Sequence, residues 1–426
     1  MFGTETILLI IALVIFSGFI GMLVFKKTKL SDVLLLMILG LLIGPVFQLI
    51  DFQTIALIRE LAPFLAALVL IMLLFESGLK MNFFKVIHEL RFAFVFIILV
   101  FLASITVVSL TMLAVGWPLL YGLILGAIIG GTSSAIVLSL IERMNVKPET
   151  KILLNLESAF TDALCIIVTI VLIEIVLSST IDAQQISHSI AGAFLIAIGI
   201  GAIAAIIWMK LLRDIKTIKE MEYILTIAVL FSVFFIAEFV KSNGAIAALA
   251  FGLVLGNSWA IMNFLRMKPI TLDTNISLFQ KEISFFIRTF FFIYIGIIFE
   301  LSMVTSFVIL VSIGIAIALL LARTAITKLL YKASKKDSSD NKAISIMMPR
   351  GLAAAVLASY PLSAGLQIDF ATQTIQIVFL IILFSNIITS AGVIFSERKK
   401  NDKKTSEKNE ALEEIKISEK IMGSET

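Results

Sequence analysis

The sequence has 426 residues, of which 60% are hydrophobic and only 15% charged, and its formal net charge is +4. This charged fraction is low, since water-soluble globular proteins carry about 25% charged residues. Together with a mean hydropathy of +1.08, it excludes a water-soluble globular protein. The single cysteine, Cys165, excludes a disulfide framework and a multi-thiolate metal centre.

Long apolar runs divide the chain into thirteen predicted membrane spans. A bilayer core takes about 20 apolar residues per helix, so runs of about 18 or more indicate a crossing. In chain order, the spans cover residues 5–25, 33–50, 61–79, 92–116, 118–142, 150–178, 186–209, 221–240, 244–264, 282–300, 303–331, 342–362 and 372–395. We therefore predict an all-α integral membrane protein, with a membrane domain at 1–396 and a charged cytoplasmic tail at 397–426.

Basic residues are sorted between alternate connections, which predicts the orientation of the chain. Of the 34 Lys and Arg residues, 29 fall in every second connection or in the tail, and only Arg59 and Lys241 fall in the opposite connections. Basic residues near span ends stay cytoplasmic, so the N-terminus is predicted outside a plasma or bacterial inner membrane and the C-terminus inside. The tail is predicted to be solvated and mobile, with a short helix at 411–421 as the alternative.

The odd number of spans is compatible with two inverted six-helix repeats. If span 7 is a link, spans 1–6 begin outside and spans 8–13 begin inside, as an inverted-topology repeat requires. Spans 5 and 12 are then matched, and they contain GGTSS at 130–134 and PRG at 349–351. We predict discontinuous helices at both positions, with close packing through small residues as the alternative.

Three arginines remain inside predicted spans: Arg288, Arg323 and Arg350. An ionised side chain at the bilayer centre costs about 3 kcal/mol or more, so each arginine requires protein, water or a counter-ion. Span 6 offers acidic partners, because it contains both Glu157 and Asp162.

Span 6 presents two polar faces. Ser158 and Asp162 lie four residues apart on one face, and Glu157 and Thr161 form a second pair rotated by about 100°. Asp162 lies about 18 Å from the predicted start of the span, close to the midplane. We assign Ser158 and Asp162 to an ion pathway and Glu157 to a structural ion pair with an arginine. The alternative for Asp162 is a second packing ion pair.

Other functional classes lack their expected residues. Only two histidines occur, His88 and His188, and no HExxH motif, phosphate-binding glycine loop or paired aspartates on two spans can be found. An intramembrane enzyme or ATP-driven pump is therefore disfavoured, and no cofactor or nucleic-acid partner is expected. A channel would need a repeated filter motif that is absent. A carrier that holds organic anions with the three arginines stays open.

Four stretches, taken in order, resemble the monovalent cation:proton antiporter superfamily, specifically its thirteen-helix NhaP-type branch. They are GGTSSAIV (130–137), ESAFTDALCIIV (157–168), FFIRTFFFIYIG (285–296) with LLLAR (319–323), and MMPRGLAAAVLA (347–358). The resemblance extends across the membrane domain, and the span 6 motif is its most specific part. It implies two broken helices that cross at mid-membrane beside span 6, in a homodimer.

The resemblance also implies roles for individual residues. Asp162 is similar to the family's ion-binding and proton-carrying aspartate, Ser158 to a cation ligand, and Thr132 to a ligand through its backbone or hydroxyl oxygen. Ser133 and Thr161, at the neighbouring motif positions, complete the implied ion-binding set. Glu157 resembles the glutamate that pairs with the arginine of span 11, here Arg323. Two other arginines match membrane arginines of less defined role, and they are Arg288 and Arg350.

Two departures from the family pattern affect the expected selectivity. Thr161-Asp162 stands where the family has Asn-Asp or Asp-Asp, and Thr132-Ser133-Ser134 stands where it has Thr-Asp-Pro. One carboxylate ligand is missing, so K⁺ and Li⁺ are alternatives to Na⁺, and GTSSA also resembles the potassium-efflux branch. With a single titrating aspartate, the resemblance implies electroneutral one-for-one exchange with protons.

Overall fold

The computed structural model is helical throughout most of the chain that it describes. These residues are 12, 15–20, 23–24, 32–48, 50, 62–81, 91–141, 144, 146–178, 183–214, 222–264, 266, 274–334 and 339–422. Most of predicted span 1 lies outside them. Within the described residues, six helices are long and apolar enough to cross a membrane, and they correspond to spans 4, 6, 7, 8, 11 and 13.

The described helices follow the predicted spans in order from span 2 onward. They are Asp32–Leu41 with a π-helical turn at Leu42–Val46 (span 2), Ala62–Lys80 (span 3), Arg91–Ala114 (span 4), Leu119–Ile128 and Ser134–Ile141 (span 5), Pro148–Leu177 (span 6), Ala183–Asp214 (span 7), Glu222–Phe239 (span 8), Gly244–Gly256 and Ser258–Phe264 (span 9), Thr274–Ile298 (span 10), Ser306–Ala333 (span 11), Asn341–Ile346 and Leu352–Ser363 (span 12), and Ile368–Met422 (span 13). The all-helical prediction is confirmed.

Spans 5 and 12 are both interrupted, as their sequences predict. The first halves end at Ile128 and Ile346, and the second halves begin at Ser134 and Leu352. Proline and glycine explain the second break, because Pro349 has no backbone N–H and Gly351 lacks a side chain. A third interruption, which the sequence did not predict, turns span 9 by 78° between its two helices.

Ten of the described spans form two packed groups, and spans 2 and 10 pack against each other. Spans 4, 5, 6, 11, 12 and 13 contact one another and surround the two breaks, and we call them the broken-helix group. Spans 3, 7, 8 and 9 share a second apolar cluster built around Phe75, Trp208 and Phe251, and we call them the glycine-packed group. Span 3 also contacts span 6 and the second half of span 12, so the two groups meet there.

Glycines allow the helices of the second group to approach closely. A Cβ atom at Gly252 or Gly256 would collide with the backbone of span 3, at Phe75 and Leu79 respectively. A Cβ atom at Gly201 of span 7 would likewise collide with the backbone carbonyl of Ala247 in span 9. Close backbone packing of this kind is typical of membrane helices, where dispersion rather than the hydrophobic effect holds helices together.

The charged tail is helical, which differs from the predicted lack of structure. The last helix runs without a break from Ile368 to Met422. No glycine or proline occurs between Val393 and Met422, and Lys and Glu are good helix formers, so the backbone has no local reason to leave the helix. The short helix at 411–421 lies within this longer one.

Candidate functional site

The two interrupted spans meet at their breaks. The backbone N–H of Ser133 donates to the carbonyl of Pro349 over 2.8 Å, which joins the break of span 5 to the break of span 12. Gly351 lies against Ser133, and a Cβ atom at this glycine would collide with the serine side chain. Glycine is therefore required at position 351, where the breaks of spans 5 and 12 cross.

Asp162 lies beside this crossing, in the middle of span 6. It is 14 residues from the start of the helix at Pro148, or about 21 Å, and only 6% of its surface is exposed. Its carboxylate accepts hydrogen bonds from the backbone N–H and the hydroxyl of Ser134. Ser134 begins the second half-helix of span 5, whose positive dipole end favours an anion.

Hydroxyl groups surround the break of span 5. The N–H of Thr132 donates to Oγ1 of Thr161 over 3.1 Å, and this hydroxyl in turn lies 3.4 Å from the carbonyl of Ser158. The Ser158 hydroxyl donates to the carbonyl of Asn155 over 3.0 Å. Oγ1 of Thr132 is buried and has no hydrogen-bond partner among the described residues. It is an oxygen available to a bound ion.

The side chain of Arg350 binds a backbone carbonyl in the break of span 5. Its guanidinium Nη1 donates to the carbonyl of Gly131, which lies in the break, three residues after the first half-helix of span 5 ends at Ile128. The Arg350 backbone is held by span 13, since its N–H donates to Oγ of Ser385 over 3.1 Å and its carbonyl accepts from Nδ2 of Asn386 over 2.8 Å. The break therefore has an acidic side chain, Asp162, at the start of its second half-helix and a basic side chain, Arg350, bonded to a carbonyl within it.

Glu157 and Arg323 form the predicted ion pair. Arg323 Nη2 lies 2.7 Å from Oε2 of Glu157, and Nη1 bonds the other carboxylate oxygen, which gives a bidentate pair. Nε of Arg323 donates to the carbonyl of Ile344 over 2.7 Å, and the guanidinium lies 5.8 Å from the ring centroid of Phe96. Both partners are almost fully buried, so the pair joins spans 6, 11 and 12 in the protein interior.

Spans 3 and 10 carry the remaining charged residues of interest. Glu76 of span 3 pairs with Lys80 one turn later, and both act electrostatically on Asp162. Arg288 lies in the helix of span 10, but its side chain is outside the described residues. No three His, Cys, Asp or Glu side chains converge as a metal cluster in the described part of the chain.

A cavity of about 120 Å³ separates the two groups of helices on the side of the 8–9 connection. Its polar lining comes from Glu238 and Asn243 of the glycine-packed group and from Tyr360 and Ser363 of span 12. The boundary between the groups thus contains space with a partly polar lining at this end.

A family model for the transmembrane domain of sodium/hydrogen exchangers matches residues 11–411 of the chain. The chain belongs to this family. The match covers the whole site, from the break of span 5 to that of span 12. It confirms the antiporter superfamily indicated by the four sequence motifs, and it covers more of the charged tail than those motifs did.

Individual relatives agree with the family assignment, and a solved structure has the same fold. The chain is 25% identical over 283 residues to the low-affinity Na⁺/H⁺ antiporter NhaS1 of Synechocystis, a match that covers 64% of this chain and 52% of the relative. The chain thus spans about half the length of that relative. It is 26% identical over 310 residues to a probable Na⁺/H⁺ antiporter of Methanocaldococcus jannaschii, with 67% and 69% covered. The structure of the sodium proton antiporter MjNhaP1 from the same organism superposes with a TM-score of 0.72 at 23% identity, over 90% of this chain and 97% of that chain.

Sequence reasoning found most of these residues but missed some of their contacts. Ser134 was part of the GGTSSA motif but was not assigned to Asp162, although its position at the start of a half-helix was a signal for anion binding. The partners of Arg350 on span 13 carry no motif, so only the tertiary structure reveals them.

Proposed function

We propose that this protein exchanges Na⁺ for H⁺ across a membrane, with Asp162 as the group that binds each in turn. The observation that carries the proposal is the buried carboxylate of Asp162, which accepts hydrogen bonds from Ser134 at the start of the second half-helix of span 5. The same break contains the buried hydroxyl of Thr132, which has no hydrogen-bond partner among the described residues. Membership of the sodium/hydrogen exchanger family supports the same conclusion.

Competition for one carboxylate couples the two fluxes. Protonated Asp162 is neutral and can change its exposure from one side of the membrane to the other. Ionised Asp162 carries a charge whose burial is costly, so it changes exposure only with a bound cation. The unloaded, ionised state is therefore excluded from the cycle, and each cation that moves in one direction is matched by a proton in the other.

The ligands available near Asp162 are oxygen atoms, which suit a hard alkali cation. We assign the carboxylate of Asp162, the hydroxyl of Thr132 and the hydroxyl of Ser158 as direct ligands. Ser133 and Thr161 hold the break against span 12 and span 6 through their hydrogen bonds, and their remaining oxygens complete the ion-binding set.

Na⁺ is the first choice of cation, because the relatives that the chain matches are named Na⁺/H⁺ antiporters. The K⁺/H⁺ alternative rested on the missing carboxylate and on GTSSA, and no relative favours it. Li⁺ resembles Na⁺ in charge and ligand preference and is included in the test. An intramembrane enzyme was the alternative from another functional class. The two histidines considered for it, His88 and His188, have side chains outside the described residues.

The sorting of basic residues and the family resemblance support a proposal for the membrane, the orientation and the oligomeric state of the protein. We infer a multi-pass protein of the plasma or inner membrane, with an outside N-terminus and a cytoplasmic C-terminus. The unit is a homodimer, residues 1–396 carry the exchange, and residues 397–426 lie in the cytoplasm.

Purified protein in liposomes tests the proposal. We expect added Na⁺ to dissipate an imposed pH gradient, and Asp162→Asn to reduce the rate by at least about 100-fold because the charge that requires a counter-cation is gone. Asp369→Asn is the matched control, since Asp369 is exposed at the start of span 13. Exchange that persists in Asp162→Asn would refute the assignment.

The pH dependence tests the stoichiometry. One proton competing with one cation requires the KM for Na⁺ to rise about tenfold for each unit by which pH falls on the acidic side. Two competing protons would give about a hundredfold rise. Under a clamped membrane potential, one-for-one exchange should show no dependence on voltage.

A further inference from the structure

The N-terminus of span 6 is capped by a residue from another part of the chain. Lys147 occupies the N-cap position and makes no side-chain cap, and Pro148 follows it. Oδ2 of Asp340 accepts the N–H of Lys147 over 2.8 Å and the hydroxyl of Thr150 over 3.0 Å. A helix start leaves N–H groups without partners, and an acidic group there is stabilising. Asp340 supplies both the acceptor and the negative charge.

Asp340 also begins the first half-helix of span 12. Its own carbonyl accepts the N–H of Ile344 over 3.0 Å, which is the first turn of Asn341–Ile346. Asp340 is only 4% exposed, although it lies in the connection between spans 11 and 12. One buried residue therefore ties the start of span 6 to the start of span 12.

A second link between the same two helices lies deeper. Arg323 bonds Glu157 of span 6 with its terminal nitrogens and the carbonyl of Ile344 with Nε. Glu157 is seven residues, or about 10 Å, beyond Thr150 along span 6. The first half of span 12 is thus fixed to span 6 at two heights, by Asp340 at the end and by Arg323 inside.

These links form a closed ring that includes the ion site. From the half-helix at Asn341–Ile346 the chain reaches Pro349, whose carbonyl accepts the N–H of Ser133. The next residue, Ser134, donates to Asp162, which lies on span 6 again. A change in the separation of span 6 and span 12 at Asp340 must therefore change the geometry of the break relative to Asp162.

We propose that Asp340 is a positioning residue for the cation, because its bonds to Lys147 and Thr150 set how span 6 lies against the break of span 12. The proposal rests on the proposed exchange function. Cation binding requires several oxygens from spans 5 and 6 at the correct separation, whereas a proton requires only the carboxylate of Asp162. Loss of the link should therefore weaken cation binding more than it slows the maximal rate.

Kinetics of purified variants in liposomes test this role. We expect Asp340→Ala to raise the KM for Na⁺ by about tenfold and to change the maximal rate per folded protein by less than about twofold. Asp340→Asn should recover most of the KM, since its amide oxygen can accept both hydrogen bonds. Thr150→Val, which removes one bond without changing the size of the side chain, should raise the KM by about threefold.

A double variant distinguishes a direct link from general damage. The effects of Asp340→Ala and Thr150→Val should not add, because both remove the same contact. Additive effects, or a KM that stays unchanged while only the folded yield falls, would overturn the positioning role. Absence of Na⁺-driven exchange in the unmodified protein would instead overturn the proposed function itself. The two failures are therefore separable.

Discussion

The two groups of helices bury different kinds of side chain. Every charged side chain that is fully buried in the described part of the chain belongs to span 6, 11 or 12 or to the 11–12 connection, and these are Glu157, Asp162, Arg323, Asp340 and Arg350. The glycine-packed group buries apolar residues and a few neutral polar ones, and its helices meet backbone to backbone. Glycines of span 5 also pack closely against span 4 in the first group, but among the described residues the directional bonds between buried charges are found in that group and not in the second.

This difference indicates that the two groups of helices have different roles. Buried charges are costly in a membrane and persist where they bind something or hold something in place. Glycine contacts bring helices together without any polar group, and they suit a part of the protein that keeps one arrangement. Substitutions of the buried charges and their partners in the first group should therefore affect both stability and ion exchange, and substitutions of the close-packed glycines in the second group should affect stability alone.

Breaking the ion pair at Glu157 should have the largest effect. Glu157→Gln leaves Arg323 as a buried charge without a carboxylate, which costs about 3–5 kcal/mol of stability. Thermal unfolding of the purified protein in detergent would measure the loss. Glu149→Gln, an exposed position in the first turn of the same helix, is the control and should cost at most about 1 kcal/mol.

A double replacement sharpens the interpretation of that experiment. Glu157→Leu combined with Arg323→Met removes both charges, so most of the stability should return. If the double variant is as unstable as Glu157→Gln, an unpaired charge is not the cause of the loss.

Enlarging a glycine should destabilise the second group by a smaller amount. Gly252→Ala places a methyl group against the carbonyl of Phe75, so span 9 must move away from span 3, at a cost of about 1–3 kcal/mol. We expect a lower thermal midpoint and an unchanged KM for Na⁺ in the protein that folds. Gly199→Ala, where nothing lies within 4 Å of the new methyl group, is the control. A changed KM for Na⁺ in Gly252→Ala would contradict a purely structural role of these glycines.

Removing the Ser134 hydroxyl should have the smallest effect on stability and a clear effect on exchange. Ser134→Ala deletes one hydrogen bond to ionised Asp162, worth about 1 kcal/mol, so protons compete better and the KM for Na⁺ rises about fivefold near neutral pH. The difference should shrink at alkaline pH, where few protons compete. Ser312→Ala removes a buried hydroxyl that bonds its own helix at Val308, and it should leave the KM unchanged.

The membrane class, the order of the spans, the breaks in spans 5 and 12 and the central position of Asp162 are all predictable from local sequence. These features depend on local composition, because apolar runs, glycine and proline act on the residues next to them. The resemblance selected Arg323 as the partner of Glu157, and the structure confirms this choice.

Contacts between residues far apart in the chain are visible only in the folded protein. The donation from Ser134 to Asp162, the bond from Arg350 to Gly131 and the cap that Asp340 places on span 6 join residues 28, 219 and 193 positions apart in the chain, the last to Lys147. Such contacts depend on how each helix is rotated and how deeply it sits against its neighbours. Local periodicity fixes neither quantity, because it specifies the apolar surface of a helix but not the partner that covers it.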